Sequence, residues 1–222
     1  MSDERPRAVV FDLDGTLIDS LPDIVASFRA AFDDQGLPAP DAGAVRAQIG
    51  RPLEAMIAAF APDRVAGVAA AYRRIYPERF LETTAPFPGA TAVLETLRAR
   101  GLRTVVATTK RTAMARELVA AVGLAPYLDH VQGTDDLPAK PAPDVVWAAA
   151  AAVGADATWM VGDTVHDLEA GRAAGVATYA VTWGTHDAAT LRRAAPDVLE
   201  PDLGALPACV GDGRTGPDGG AW

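Results

Sequence analysis

Two acids stand two residues apart in Phe11-Asp12-Leu13-Asp14-Gly15-Thr16, where the apolar run Ala8 to Phe11 gives way to a glycine-containing turn. Residues two apart on a strand share a side. At the strand's carboxyl edge the turn lets one carboxylate face a ligand and the other a leaving group, so both can serve one substrate. A second acidic pair lies in Gly162-Asp163-Thr164-Val165-His166-Asp167, after the apolar run Thr158 to Val161 and ahead of a helix rich in Gly and Ala. Four acids converging on one crevice repel one another, which implies a divalent cation held through hard oxygen ligands.

Two further polar segments end strands or begin helices: Thr108-Thr109-Lys110 and Lys140-Pro141-Ala142-Pro143-Asp144. Lysine occurs only at Lys110 and Lys140, and the other eighteen of the twenty basic residues are Arg. An ammonium differs from a planar guanidinium in reach and hydration, so lysine at these places in an Arg-using chain points to a chemical requirement. Asp144 reads as a helix cap with Pro143 near the first turn. His166, alone between acids at an exposed helix start, reads as a solvated residue, and His130 and His186 lack the spacing of a metal site. Arg51, at a helix-entry turn, has two readings: a surface residue, or a fork for a substrate's carboxylate or distal group.

The elements that must position these residues follow from hydrophobic periodicity. Buried strands are predicted at Ala8 to Asp12, Arg103 to Thr108, His130 to Gln132, Thr158 to Gly162 and Val176 to Val181. Helical patterns lie between them, marked by Val93, Leu94 and Leu97, by Met114, Leu118 and Val122, and by Val145, Val146, Ala149 and Val153. Such alternation specifies an α/β fold with a parallel sheet covered on both faces. From Ser20 to Thr84 the patterns are helical only, with apolar faces at Ile24, Val25, Phe28 and Phe32, at Leu53, Met56, Ile57 and Phe60, and at Val65, Val68, Tyr72 and Ile75. This insertion leaves just after the first acidic motif and returns near Phe87, so it can sit as a lid over the site.

A chain of 222 residues can bury a real core. Its formal charge of -9 and lack of basic blocks argue against nucleic acid or an anionic membrane as partner and favour a small molecule. The single cysteine, Cys209, excludes an intrachain disulfide and reads as a small apolar residue of a terminal helix. The polar amino terminus and the absence of a long apolar run lead to the expectation of a cytoplasmic protein. Residues 211–222, rich in Gly, are expected to be disordered, with Trp222 a passenger. Nothing in the pattern separates monomer from dimer.

Taken in order, Asp12/Asp14, Thr108-Thr109-Lys110, Lys140-Pro141 and Asp163/Asp167 closely resemble the four motifs of the haloacid dehalogenase superfamily, in its phosphoglycolate phosphatase-like branch. The resemblance implies a Rossmann-like three-layer core of residues 1–18 and 85–210, with a small α-helical cap, residues 19–84, inserted after the first strand. It implies Asp12 as nucleophile, forming an aspartyl phosphate, and Asp14 as general acid and base. Thr108 would donate to a phosphoryl oxygen, Lys140 would offset charge, and Mg²⁺ would be held by Asp12, the Asp14 carbonyl and Asp163, with Asp167 behind them or an occasional ligand. Thr109, Lys110 and Arg51 would contact substrate, a small phosphorylated metabolite, with 2-phosphoglycolate the first guess. The family often has Asn where this chain has Thr109, which bears on substrate placement.

Related activities fit less well. Dehalogenases usually lack the second Asp of the first motif, which is Asp14 here. Phosphonoacetaldehyde hydrolases need a cap lysine, and Asp19 to Thr84 contains none. Sugar phosphomutases carry a cap His that aligns with Ile24. A non-catalytic scaffold is the alternative of another class, although each catalytic position holds a competent residue.

Overall fold

The computed structural model describes residues 5–211, so nearly all of the expected disordered tail, with Trp222, lies outside the described residues. From the amino end, β1 (Arg7–Phe11) leads to a two-residue strand β2 (Ile18–Asp19). Four helices follow, α1 (Leu21–Asp34), α2 (Ala42–Arg46), α3 (Leu53–Ala58) and α4 (Val65–Arg79), then a second short strand β3 (Ala85–Pro86). The rest alternates: α5 (Ala90–Ala99), β4 (Arg103–Ala107), α6 (Thr112–Ala121), β5 (His130–Gln132), α7 (Asp144–Ala151), β6 (Asp156–Gly162), α8 (Val165–Ala174), β7 (Ala177–Val181), α9 (Ala188–Arg193), β8 (Val198–Glu200) and α10 (Leu206–Val210).

Six strands form one sheet in the order β5-β4-β1-β6-β7-β8, with every neighbouring pair parallel. Val9 and Phe11 join a core with Val106, Val161 and Tyr179 on one face, while Ala8 and Val10 pack with Val105, Met160, Val145 and Val146 on the other. Burial of alternate residues on opposite faces is why these strands read as continuous apolar runs. Chain progress reverses beside β1, the switch point at which ligands bind in open α/β sheets. Asp12, Thr108 and Asp163 each follow a strand at this edge. Among the described residues no helix is long and apolar enough to cross a membrane.

The predicted strands are present with ends moved by up to two residues. Asp12 lies just beyond β1 but still donates its N–H to Val161 O at 2.8 Å, and Thr108 donates to Gln132 O at 3.0 Å beyond β4. The edge strand β8 and the helix α2 were not anticipated; each is short, and β8 is only half-buried. Asp144 requires a correction. Pro143 occupies the cap position with helical dihedrals and no side-chain cap bond, and Asp144 is in the first turn, where its charge meets the helix dipole.

Helices α1 and α4 pack together around an aromatic cluster, with Phe28 5.2 Å from Phe32 and 6.3 Å from Tyr72. The two chain crossings into this helical layer are tied side by side: Ile18 and Asp19 pair antiparallel with Pro86 and Ala85. Buried Asp23, in the first turn of α1, accepts from the backbone N–H groups and hydroxyls of both Thr83 and Thr84. Burial opposes its charge, yet these four donors hold its carboxyl below the usual value. Asp23→Ala, which orphans those donors, is expected to lower stability by about 1–3 kcal/mol in urea unfolding.

Candidate active site

Lys140 is the centre of the site. Its ammonium, 4 % exposed, lies 2.6 Å from Asp12 Oδ1, 2.6 Å from Asp167 Oδ1 and 3.1 Å from Ala107 O, and donates to all three. Asp167 is itself fixed by a capping box at the start of α8, where its Oδ2 accepts from Thr164 N–H at 3.0 Å and from the Thr164 hydroxyl at 2.6 Å. Both Asp167 oxygens are therefore engaged. Gly162 is required beneath it, since a Cβ there would stand 2.3 Å from Asp167 Cβ.

Asp163 is held from two loops. Thr16 donates its hydroxyl to Oδ1 at 2.8 Å, and Thr185 N–H donates to Oδ2 at 2.6 Å. The backbone crowds this carboxylate so closely that a Cβ at Gly15 or Gly184 would lie 2.4 or 2.2 Å from Oδ2. Gly15 also has φ +85°, a left-handed conformation that turns the chain after Asp14. One carboxylate oxygen from each of Asp12, Asp163 and Asp167 lies within 4.8 Å of the others, and all three residues are buried. Three buried acids against one ammonium suit a divalent cation and its oxygen-ligand chemistry.

Asp14 faces a different set of partners, Ser20 Oγ at 2.5 Å and Lys110 Nζ at 2.7 Å. The Lys110 ammonium also sits 5.0 Å from the centroid of the Tyr76 ring. Thr108 is buried, and its Oγ1 accepts the Lys110 N–H at 3.2 Å, which leaves the hydroxyl proton to donate elsewhere. Above these residues a cavity of about 1080 Å³ opens between α3, α4 and the start of α6. Asp12 and Asp14 line its floor; Thr109, Lys110 and Arg51 line its walls, Arg51 exposed and bonded to Gln48. Ile24 is an apolar wall residue of the same cavity. Thus Asp12, Asp14, Thr109, Lys110 and Arg51 line one cavity, and Lys140, Thr108, Asp163 and Asp167 stand directly behind its floor.

A family model described as haloacid dehalogenase-like hydrolase matches residues 9–181. The chain belongs to this family. It is 40% identical over 202 residues, 86% of this chain and 87% of the relative, to a Dickeya dadantii protein named "Probable phosphatase IndB". It is 34% identical to the phosphoglycolate phosphatase of Caulobacter vibrioides, over 95% of this chain and 93% of that protein. Among solved structures, a haloacid dehalogenase-like family hydrolase from Streptococcus pneumoniae superposes with a TM-score of 0.82 at 29% identity, covering 94% of this chain and 99% of that one.

The electrostatics of this haloacid dehalogenase-like hydrolase follow from burial. Loss of water pushes the Asp12 carboxyl up, opposed by Lys140 and reinforced by the neighbouring acids. Burial together with Asp167 pushes Asp163 up to about 7, against the donors Thr185 and Thr16. Burial also disfavours the Lys140 ammonium, but Asp12 and Asp167 outweigh it and keep the lysine charged.

Several participants were not legible in the sequence. Ser20 and Thr16 are small hydroxyl residues beside the first motif, which the short spacing could have suggested. Thr185 and Gly184 come from the loop after β7 and carry no local signal. His166 also departs from expectation: it is half-buried and its enclosed Nδ1 has no partner among the described residues, because the loop after β7 folds over this turn, with His186 Nδ1 accepting Val165 N–H at 3.0 Å.

The raised Asp163 carboxyl has a consequence for stability. The folded state keeps a proton that the unfolded chain has released, so cation-free stability falls as pH rises from 3.8 to about 7. Thermal unfolding in chelator is expected to give a lower Tm at about pH 8 than at about pH 5. Adding Mg²⁺ should raise Tm more at the higher pH, where the site is ionised.

Proposed function

We propose that the protein is a Mg²⁺-dependent phosphatase that hydrolyses a small phosphorylated metabolite through an aspartyl phosphate on Asp12. The observation that carries this reading is the buried Lys140 bridge between Asp12 and Asp167, directly behind the Asp12 that lines a cavity together with Asp14. The names of the similar proteins, a phosphatase and a phosphoglycolate phosphatase, point the same way.

In the first step an Asp12 carboxylate oxygen attacks phosphorus. The bond from phosphorus to the ester oxygen breaks, and Asp14 gives that oxygen its proton, so that a neutral alcohol leaves. Asp14, held by Ser20 and Lys110, then takes a proton from the water that attacks the aspartyl phosphate, which releases phosphate and restores Asp12. Lys140 offsets the charge that would otherwise separate carboxylate from phosphate, and the Thr108 hydroxyl donates to a phosphoryl oxygen. Asp167 acts through Lys140, since both of its oxygens are already engaged. The chemistry Mg²⁺ supplies, when held by Asp12, Asp163 and the Asp14 carbonyl, is neutralisation of charge on the phosphoryl oxygens. Helices α1 to α4, within residues 19–84, act as a cap that excludes water from this step.

A mutase reading is disfavoured by Ile24, which offers the cavity no proton-transferring group. A non-catalytic scaffold would retain its role without Asp12. Phosphate release across a panel that includes 2-phosphoglycolate is expected to require Mg²⁺ and to fall about 10³-fold or more in folded Asp12→Asn. Release unchanged in that variant would sink the proposal. Asp14→Asn should lose about 10²–10⁴-fold on alkyl phosphates. In kcat/KM, which reports the steps up to departure of the alcohol, it should lose much less on p-nitrophenyl phosphate, whose leaving group departs without a proton.

A further inference from the structure

If Asp12 takes the phosphoryl group and Asp14 faces the leaving oxygen, as the phosphatase reading requires, the alcohol must occupy the remainder of the cavity. That remainder is large, and one wall of it is apolar. At about 1080 Å³ the cavity stands at the upper end of those that hold drug-sized ligands. A phosphorylated two-carbon acid would leave most of it to water.

Its wall is built from Leu53 and Met56 of α3, Tyr72 and Tyr76 of α4, Ile24 of α1 and Met114 of α6. Tyr72 and Tyr76 stack with centroids 5.2 Å apart and planes inclined by 11°, and Tyr72 is braced edge-on by Phe28. Rigid aromatic surface beside two adaptable thioethers suits a bulky apolar partner rather than a fan of hydroxyls.

Charge on the wall sets no preference of its own. Apart from the two floor acids, the lining carries four basic and four acidic side chains. Arg73 is paired with Glu54, Lys110 with Asp14, and exposed Arg51 is bonded to Gln48. The fourth, exposed Arg111, acts on Asp135, so the charges of the lining are balanced and selection among alcohols falls to the apolar wall.

We infer that the substrate is a phosphate monoester of an alcohol bearing a ring-sized apolar body, seated against Tyr72, Met56 and Met114. Binding energy from that remote body is realised as turnover, because it orients the ester oxygen towards Asp14.

The test compares kcat/KM for ethyl phosphate, 2-phenylethyl phosphate and 2-phosphoglycolate with Mg²⁺. The two alcohols leave with similar difficulty, so their ratio reads the wall. The phenylethyl ester is expected to exceed both others by about tenfold or more, equivalent to about 1.4 kcal/mol. Tyr72→Ala should bring the phenylethyl-to-ethyl ratio close to one, and Tyr72→Phe, which keeps the ring, should preserve it. Met56→Ala provides a second reduction of the ratio should the first variant fold poorly. A ratio near one in the unaltered protein, or 2-phosphoglycolate as the best of the three, overturns the inference and leaves the phosphatase reading standing. No phosphate from any ester, including p-nitrophenyl phosphate, overturns both.

Discussion

A buried ammonium must be paired, and in this protein that constraint organises the catalytic floor. Lys140 is too enclosed to be solvated, so it persists as a cation only because Asp12 and Asp167 reach it from the ends of β1 and the start of α8. Removing one partner would strand a buried charge, which costs far more than the pair contributes. Three segments distant in sequence are thereby locked at one strand edge. The parallel sheet sets the edge; the ion triad fixes the side chains on it to hydrogen-bond precision.

The same logic explains the glycines. Asp163 approaches Asp12 and Asp167 closely, which leaves no room for side chains on the two backbone segments that enclose it. Gly15 and Gly184 meet that need from opposite sides, and Gly162 does the same beneath Asp167. These positions bring backbone N–H donors and hydroxyls within reach of a carboxylate that burial would otherwise neutralise. The acids are thus prepared for a cation by repulsion among themselves and restrained from scattering by neutral donors.

The floor was legible in the sequence because strand-end acids and lysines advertise themselves: an apolar run, then Asp12 or Asp163, is a local pattern. The strands β1, β4, β5, β6 and β7 were equally plain as buried runs. What escaped was non-local. Strand β8 is three half-buried residues whose identity depends on pairing with β7, not on its own periodicity. Thr185 donates to Asp163 only because the loop after β7 folds back over α8, and the pairing of Asp23 with Thr83 and Thr84 joins segments sixty residues apart. His166 was misread for the same reason, since nothing near it in sequence announces the loop that encloses it.

Chemistry and selectivity are separated by how each half of the cavity is held. The floor rests on charge pairs in a rigid sheet edge, where a displacement of an ångström would break the triad. The wall rests on side chains of α1, α3, α4 and α6 that pack through aromatic and thioether contacts, which tolerate exchange of size and shape. The β2–β3 ribbon, the Phe87 N–H bond to Leu17 O and the Asp23 clamp join the two crossings of the helical layer, and Arg46 of α2 ties it to Gly184 O at 2.8 Å, beside the loop residue that holds Asp163. Lys110 also crosses between the two: it bonds Asp14 in the floor and lies against Tyr76 in the wall. On the phosphatase reading proposed above, this contact would carry the fit of an alcohol against the wall to the acid proposed to protonate it.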